Sequence, residues 1–275
     1  MSLTVRTNLA AVRSYHSLNT TQAKLSHTLN RISSGLRVTK AADDAAGMAV
    51  ATNINSQSTS LEQAMRNAND GISLIQTAES AATEVTNILN RMRELAVQSS
   101  SETLANSERQ YINDEYEQLY DEVTRISSVT EFNGLQLSNG TITTLSAQIG
   151  IDNLSTSRID ILLGDLRATV LGIATTVNLA SVTAARSALD AMDSAISAVN
   201  TYRSDLGAVQ NRLDSSLANS TNYLESLKAA ESQIMDADFA VESTEMTKQQ
   251  IMQQAGVAAL AQAKNINQSV ISLLS

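Results

Sequence analysis

The chain has no cysteine, no proline and no tryptophan, and only two phenylalanines among its 275 residues. Without Cys there is no disulfide, no thiolate zinc ligand and no Cys nucleophile. The compartment stays open, because a secreted protein can do without disulfides. Without Pro, nothing in the sequence forces a break in a helix. With so few aromatics, the apolar content rests on Ala, Leu, Ile and Val, so any core must be made of helix–helix seams. A run of about 18 apolar residues, enough to span a bilayer, is absent. The first residues also lack the apolar segment of a secretory signal, so an exported product is expected to leave by another route. Acidic residues are missing from positions 1–40, which carry six basic ones: Arg6, Arg13, Lys24, Arg31, Arg37 and Lys40. Such a start suits nucleic acid, an anionic membrane or a transit peptide. Here the basic residues interleave with a regular apolar seam, so they read as the solvated flank of a helix. Neither a nucleic-acid nor a membrane partner is expected.

That seam is the main signal present. Leu18, Gln22, Leu25, Leu29, Ile32 and Leu36 follow alternating steps of four and three, the spacing of a coiled coil. Ser33-Ser34-Gly35 interrupts it, and Ala41 to Ala51 resumes as a small-residue helical segment. A second seam runs unbroken through Ala64, Ala68, Gly71, Ile75, Ala78, Ala82, Val85, Leu89, Met92 and Ala96. A shorter one holds Ile112, Tyr116, Leu119, Val123 and Ile126. The longest extends from Ala185 to Ile234, with polar intrusions at Arg203, Gln210, Ser220 and Glu231 that can set register. The last comprises Met252, Gly256, Ala259, Ala263, Ile266, Val270 and Leu273. A helix from Ala185 to Ile234 would reach about 75 Å, beyond the ~50 Å diameter of a compact globule of this length.

Between Val129 and Ala180 the texture changes. Asn133-Gly134 and Asn139-Gly140 are hairpin-turn dipeptides suited to positive φ. Thr141 to Ser146 and Arg158 to Ile161 alternate as strands do. The expected fold is therefore mainly α: an elongated rod of long antiparallel helices, with a terminal coiled coil and a small β-hairpin region. Its two ends would pair as a discontinuous terminal coiled-coil domain, residues 1–42 plus 236–275, which the resemblance given below makes the inner domain. The remainder, 43–235, would be a helical rod domain with hairpins at about 130–180.

Chemistry is hard to place on this pattern. His16 and His27 lie on the polar side of the first helix and read as surface residues. Asp43-Asp44 and Asp236/Asp238 are the closest carboxylate pairs, each near a helix junction where acids favour a helix N-terminus. No phosphate-binding, zinc-protease or nucleophile-elbow motif occurs. Neither catalytic, cofactor nor metal residues are assigned.

Several runs do carry a family signature: LNRISSGLRVTKAADDAAGMAV from Leu29 to Val50, LNRMRELAVQSS from Leu89 to Ser100, and FNG at Phe132 to Gly134. SQIMDADFAVESTEMTKQQIMQQAG from Ser232 to Gly256 and the ending ISLLS complete it. The chain resembles bacterial flagellin in these runs, in order and across nearly its whole helical length. The resemblance implies a structural subunit, not an enzyme, that self-assembles through its terminal helices into the helical filament of the bacterial flagellum and serves swimming motility. The assembly seam would be Leu18, Leu25, Leu29, Ile32, Leu36, Ala259, Ala263, Ile266, Val270 and Leu273. It further implies secretion by the flagellar type III route to an extracellular filament, and a minimal flagellin with core domains only. The implied partners are other subunits, an export chaperone, the filament cap and hook-junction proteins. An innate-immune partner follows too, the Toll-like receptor for flagellin, with Arg91, Leu95 and Glu115 at the matching contact positions. The alternative within the resemblance is the hook–filament junction protein.

Overall fold

The computed structural model of the chain describes residues 7–173 and 179–272. Among these residues there are five α-helices: α1 (Leu9–Ser34), α2 (Ala45–Ser99), α3 (Asn106–Val129), α4 (Val182–Met235) and α5 (Phe239–Ser272). Between α3 and α4 lie two antiparallel pairs, β1 (Glu131–Phe132) with β2 (Leu135–Gln136) and β3 (Thr144–Gln148) with β4 (Arg158–Leu162). The fold is mainly helical with a small β region, as the heptad pattern and turn dipeptides predict. The chain divides into two compact units, residues 1–58 with 225–275, and residues 59–224.

In the unit of residues 59–224, the α2 seam is the one the sequence shows. Ala64, Ala68, Ile75, Ala78, Ala82, Val85, Leu89, Met92 and Ala96 are all buried. Small residues in the first half let the hairpin region and α4 approach closely, and Gly71 sits where a Cβ would press on Leu213 and Ile161. Bulkier Val85, Leu89 and Met92 meet Tyr116 and Val123 of α3 and Met192 and Val199 of α4. A second cluster joins Leu74 and Ile75 to Leu137, Ile159 and Ile161 of the β region and Leu206 and Leu213 of α4. The helices α2 and α4 therefore run antiparallel: Arg93 pairs with Asp193 at 2.6 Å and Glu79 with Arg203 at 3.7 Å. Arg203, a polar intrusion in the sequence pattern, supplies one of these cross-helix contacts.

Two turn expectations are refined. Asn133 and Gly134 have φ of 50° and 77° and form the two-residue tip of the β1–β2 hairpin. Asn139-Gly140 also turns the chain but is no hairpin tip; Asn139 bridges to Asp165. The Asn139 side chain accepts from the Thr141 N–H at 3.0 Å, so residues 141–143 stay outside the strand and β3 begins at Thr144, not Thr141.

Candidate assembly surface

In the unit of residues 1–58 and 225–275, α1 and α5 pack antiparallel. Asn8 caps α1 by accepting from Ala11 N–H at 2.9 Å and donates to the Ala263 carbonyl at 2.9 Å. Gly256 offers no side chain where Leu18 lies against it, and Gln253 donates to Gln22 at 2.5 Å. At the other end Arg31 pairs with Glu242 at 3.0 Å.

Within the subunit this contact takes up part of the seam read in the sequence, Leu18, Leu25 and Ala263, and leaves other members outside it. On α1, Thr21, Leu25 and Thr28 are buried, whereas Leu29 is 45% exposed and Gln22 is exposed; Leu18, Ile32 and, just past the helix end, Leu36 are half-buried. On α5, Glu242, Gln249 and Ala263 are buried, whereas Ala259 and Met252 are exposed. Much of what the two helices bury is polar, Thr21 and Thr28 on α1 with Glu242 and Gln249 on α5, and Thr21 satisfies its hydroxyl by donating to the Ser17 carbonyl at 3.0 Å. Ile266, Val270 and Leu273 lie outside the residues whose side chains are described.

Large apolar residues are consequently left in solvent: Leu9, Val12, Tyr15 and Leu29 on α1, and Val241, Ile251, Met252 and Val257 on α5. Leu9 precedes Leu29 by about 5.5 turns at 3.6 residues per turn, so these two exposed leucines point to nearly opposite sides of α1. The exposed apolar groups thus occupy more than one side of the pair.

The junction between these helices and their neighbours is built by carboxylates. Gly35, in the left-handed conformation with φ 72°, ends α1 and gives its N–H to Arg31 O at 2.8 Å. The chain then bridges back: Arg37 N–H reaches Met235 O at 2.6 Å and Ala237 N–H reaches Gly35 O at 2.9 Å. Asp43 ties the loop, accepting from Thr39 N–H at 3.1 Å, Thr39 Oγ1 at 2.9 Å, Lys40 N–H at 3.1 Å and facing His27 Nε2 at 2.9 Å. Donation by His27 and Thr39 holds this carboxyl well below the usual carboxylate range. Asp44 and Asp238 cap the starts of α2 and α5, accepting from Gly47 N–H at 2.8 Å and Ala240 N–H at 2.8 Å. Helix α2 therefore starts at Ala45, later than the small-residue run at Ala41. These acids bind backbone N–H groups, and no group of three metal-ligating side chains is found among the described residues. His27 is a junction residue, a role its surface position in the sequence pattern did not disclose.

The positions matching the receptor-contact motif separate. Arg91 and Glu115 meet on the surface at 2.8 Å, and Arg91 also holds Glu94 at 3.0 Å. Leu95 is 1% exposed and packs in the α2–α3–α4 core, beneath the surface that Arg91 and Glu115 occupy. Its seam neighbours Met92 and Ala96 turn the same face inward. What stands out beside Arg91 and Glu115 is Tyr111 on α3, 75% exposed.

A long-helical chain with capped junctions and unpartnered apolar helix faces is a structural, self-associating protein. Two family models specify it further: the bacterial flagellin N-terminal helical region matches residues 5–143 and the C-terminal helical region residues 189–274. A flagellin of Halalkalibacterium halodurans is 43% identical over 267 residues, covering 97% of this chain and 98% of that one. Bacillus cereus flagellin, a crystal structure, is 31% identical with a TM-score of 0.50, covering 56% of this chain and 88% of that one. A putative flagellar hook-associated protein of Vibrio parahaemolyticus superposes with a TM-score of 0.61 over 70% of this chain and 100% of that one. At 14% identity the latter shows a likeness of fold alone and does not favour the junction-protein alternative. The chain belongs to the bacterial flagellin family. It is a structural subunit of the extracellular flagellar filament and not an enzyme. No helix among the described residues is long and apolar enough to cross a membrane.

Proposed function

We propose that the α1–α5 pair drives polymerisation, with residues 1–42 and 236–275 acting as an inner assembly domain and 43–235 as the domain outside it. The observation that carries this is the set of exposed apolar residues on more than one side of the pair, from Leu9 and Tyr15 to Ile251 and Val257. A surface of that kind needs neighbours on several sides, and a head-to-tail contact whose rotation does not close supplies them as an open helix. Leu29 and Ala259, expected in the seam but exposed within the subunit, then belong to contacts between subunits. Export by the flagellar type III route, an export chaperone, the filament cap and hook-junction proteins follow from the same reading. Receptor recognition would rest on the exposed Arg91 and Glu115, with Leu95 shaping that surface from beneath.

Electron microscopy of the purified chain, seeded with filament fragments, tests the proposal. Filaments are expected from the intact chain, and none from a chain lacking residues 236–275 or from Ile251→Asp. Filaments of normal length from either variant would move the driving contacts to residues 43–235.

A further inference from the structure

The two Asn-Gly dipeptides are chemically alike but stand in opposite environments. An asparagine followed by glycine can react with itself, because the glycine N–H meets no Cβ on its approach to the side-chain amide. Asn133 and Gly134 are both exposed, and nothing lies within 4 Å of where a Gly134 Cβ would stand. Among the described residues neither the Asn133 side chain nor the Gly134 N–H makes a hydrogen bond. Two residue pairs, Glu131 with Gln136 and Phe132 with Leu135, form the hairpin that carries them, followed by one bond from the Leu137 N–H to the Thr130 carbonyl at 3.0 Å. So short a ladder opens at little cost. Asn139, in contrast, is half-buried, and both ends of its amide are engaged: Nδ2 donates to Gln136 Oε1 and Oδ1 accepts from Thr141 N–H. Its glycine is backed by the Asp165 carboxylate, which a Cβ would strike at 2.5 Å, and Asn139 bridges to Asp165.

We propose that Asn133 is a site of spontaneous deamidation in the folded subunit and that Asn139 is protected by the fold. The Gly134 nitrogen bonds to Asn133 Cγ, the Cγ–Nδ2 bond breaks, and ammonia leaves with the proton from the Gly134 nitrogen. Water then opens the succinimide at Cγ to give aspartate, or at the backbone carbonyl to give isoaspartate. The net change is amide plus water to carboxylate plus ammonium, with no redox partner. Either product places a negative charge at the hairpin tip, beside Glu131 and on the rim of a groove that Asp70 also lines. Isoaspartate in addition lengthens the two-residue turn by one backbone carbon. That carbon breaks the Phe132–Leu135 pairing and loosens Phe132 from the cluster it packs against.

The test is incubation of the full chain at mildly alkaline pH, in buffer and in parallel in urea, followed by peptide mass mapping with an isoaspartate-specific methyltransferase assay. In urea both sites should convert at similar rates. In buffer, conversion at Asn133 should exceed that at Asn139 by about tenfold or more, the contrast expected from differential local opening, and Asn133→Gln should remove nearly all of the isoaspartate signal. Equal rates at the two sites in buffer, or no conversion at Asn133 in buffer over the time in which it converts in urea, would overturn the proposal.

Discussion

The guanidinium of Arg109 donates to the Ser99 carbonyl at 3.0 Å, joining the first turn of α3 to the last turn of α2 in a buried contact. The same group reaches Ser101 O at 2.6 Å and Asn106 Oδ1 at 3.2 Å. Nearby, Ser99 Oγ donates to Leu179 O at 2.5 Å, and Leu179 N–H donates to Asn113 Oδ1 at 2.8 Å. One buried cation thus satisfies carbonyls that a helix end leaves open. Arg109→Ala should destabilise the chain by about 2–4 kcal/mol, since it strands buried acceptors. Lysine should recover only part of this, because an ammonium cannot reproduce the planar fork. Urea denaturation followed by circular dichroism measures both variants; a loss indistinguishable from that of an exposed arginine such as Arg125 would contradict the capping role.

Asp43 gives a pH signature. Its carboxyl is depressed in the folded chain by His27 and Thr39, so its contribution is present above the ordinary aspartate value of about 3.9 and is lost as pH falls below it. Asp43→Asn should therefore lower the melting temperature most above about pH 5, and the gap to the parent chain should close toward acid. A gap that stays constant with pH would show that the carboxylate charge is not what holds the loop.

Tyr116 is 2% exposed, and its hydroxyl has no hydrogen-bond partner among the described residues. Burial, with Tyr120 alongside, pushes its pKa up to about 12. Replacing it by phenylalanine removes an unsatisfied polar atom and keeps the ring among Val85, Leu89 and Met192. Tyr116→Phe should leave stability unchanged or raise it by up to about 1 kcal/mol, whereas Tyr116→Ala should cost about 3–5 kcal/mol. Thermal unfolding of the three chains decides the matter, and a clear loss in the phenylalanine variant would mean that the hydroxyl is bonded after all.

Two glycines should respond to alanine in opposite directions. Gly140 has φ 73° and lies against Asp165, so Gly140→Ala combines backbone strain with a clash. It should destabilise by about 1–3 kcal/mol. Gly207 sits inside α4 with open space around it, and Gly207→Ala should stabilise by about 0.5–1 kcal/mol. Differential scanning calorimetry of each variant checks the sign.

Hydrogen exchange should separate the two units in dilute monomer. The seam between α1 and α5 is small and polar, with Thr21, Thr28, Gln249 and Glu242 among its buried groups. The α2–α3–α4 core buries Leu89, Met92, Tyr116 and Met192. Amides of α1 and α5 should therefore exchange well before those of α2 between Ala78 and Ala96. Equal protection would mean that the α1–α5 pair is stable without neighbours.

The sequence by itself determined the helices, the long seams of α2 and α4, the turn at Asn133-Gly134 and the family. Each of these is local or periodic: a four-three repeat over ten positions leaves one face to bury, and Asn-Gly accepts the positive φ that a two-residue turn requires. Tertiary structure decided which of two adjacent faces of α1 meets α5. Thr28 and Leu29 differ by one step along the chain, and only the packing of α5 against α1 chooses between them. It also decided that Leu95 faces the core while Arg91 and Glu115 face solvent, although all three lie in the same motif match. Arg109, His27 and Asp43 read as ordinary charged residues along the chain. Their roles come from carbonyls, N–H groups and side chains that the fold brings to them, which no spacing within one helix encodes.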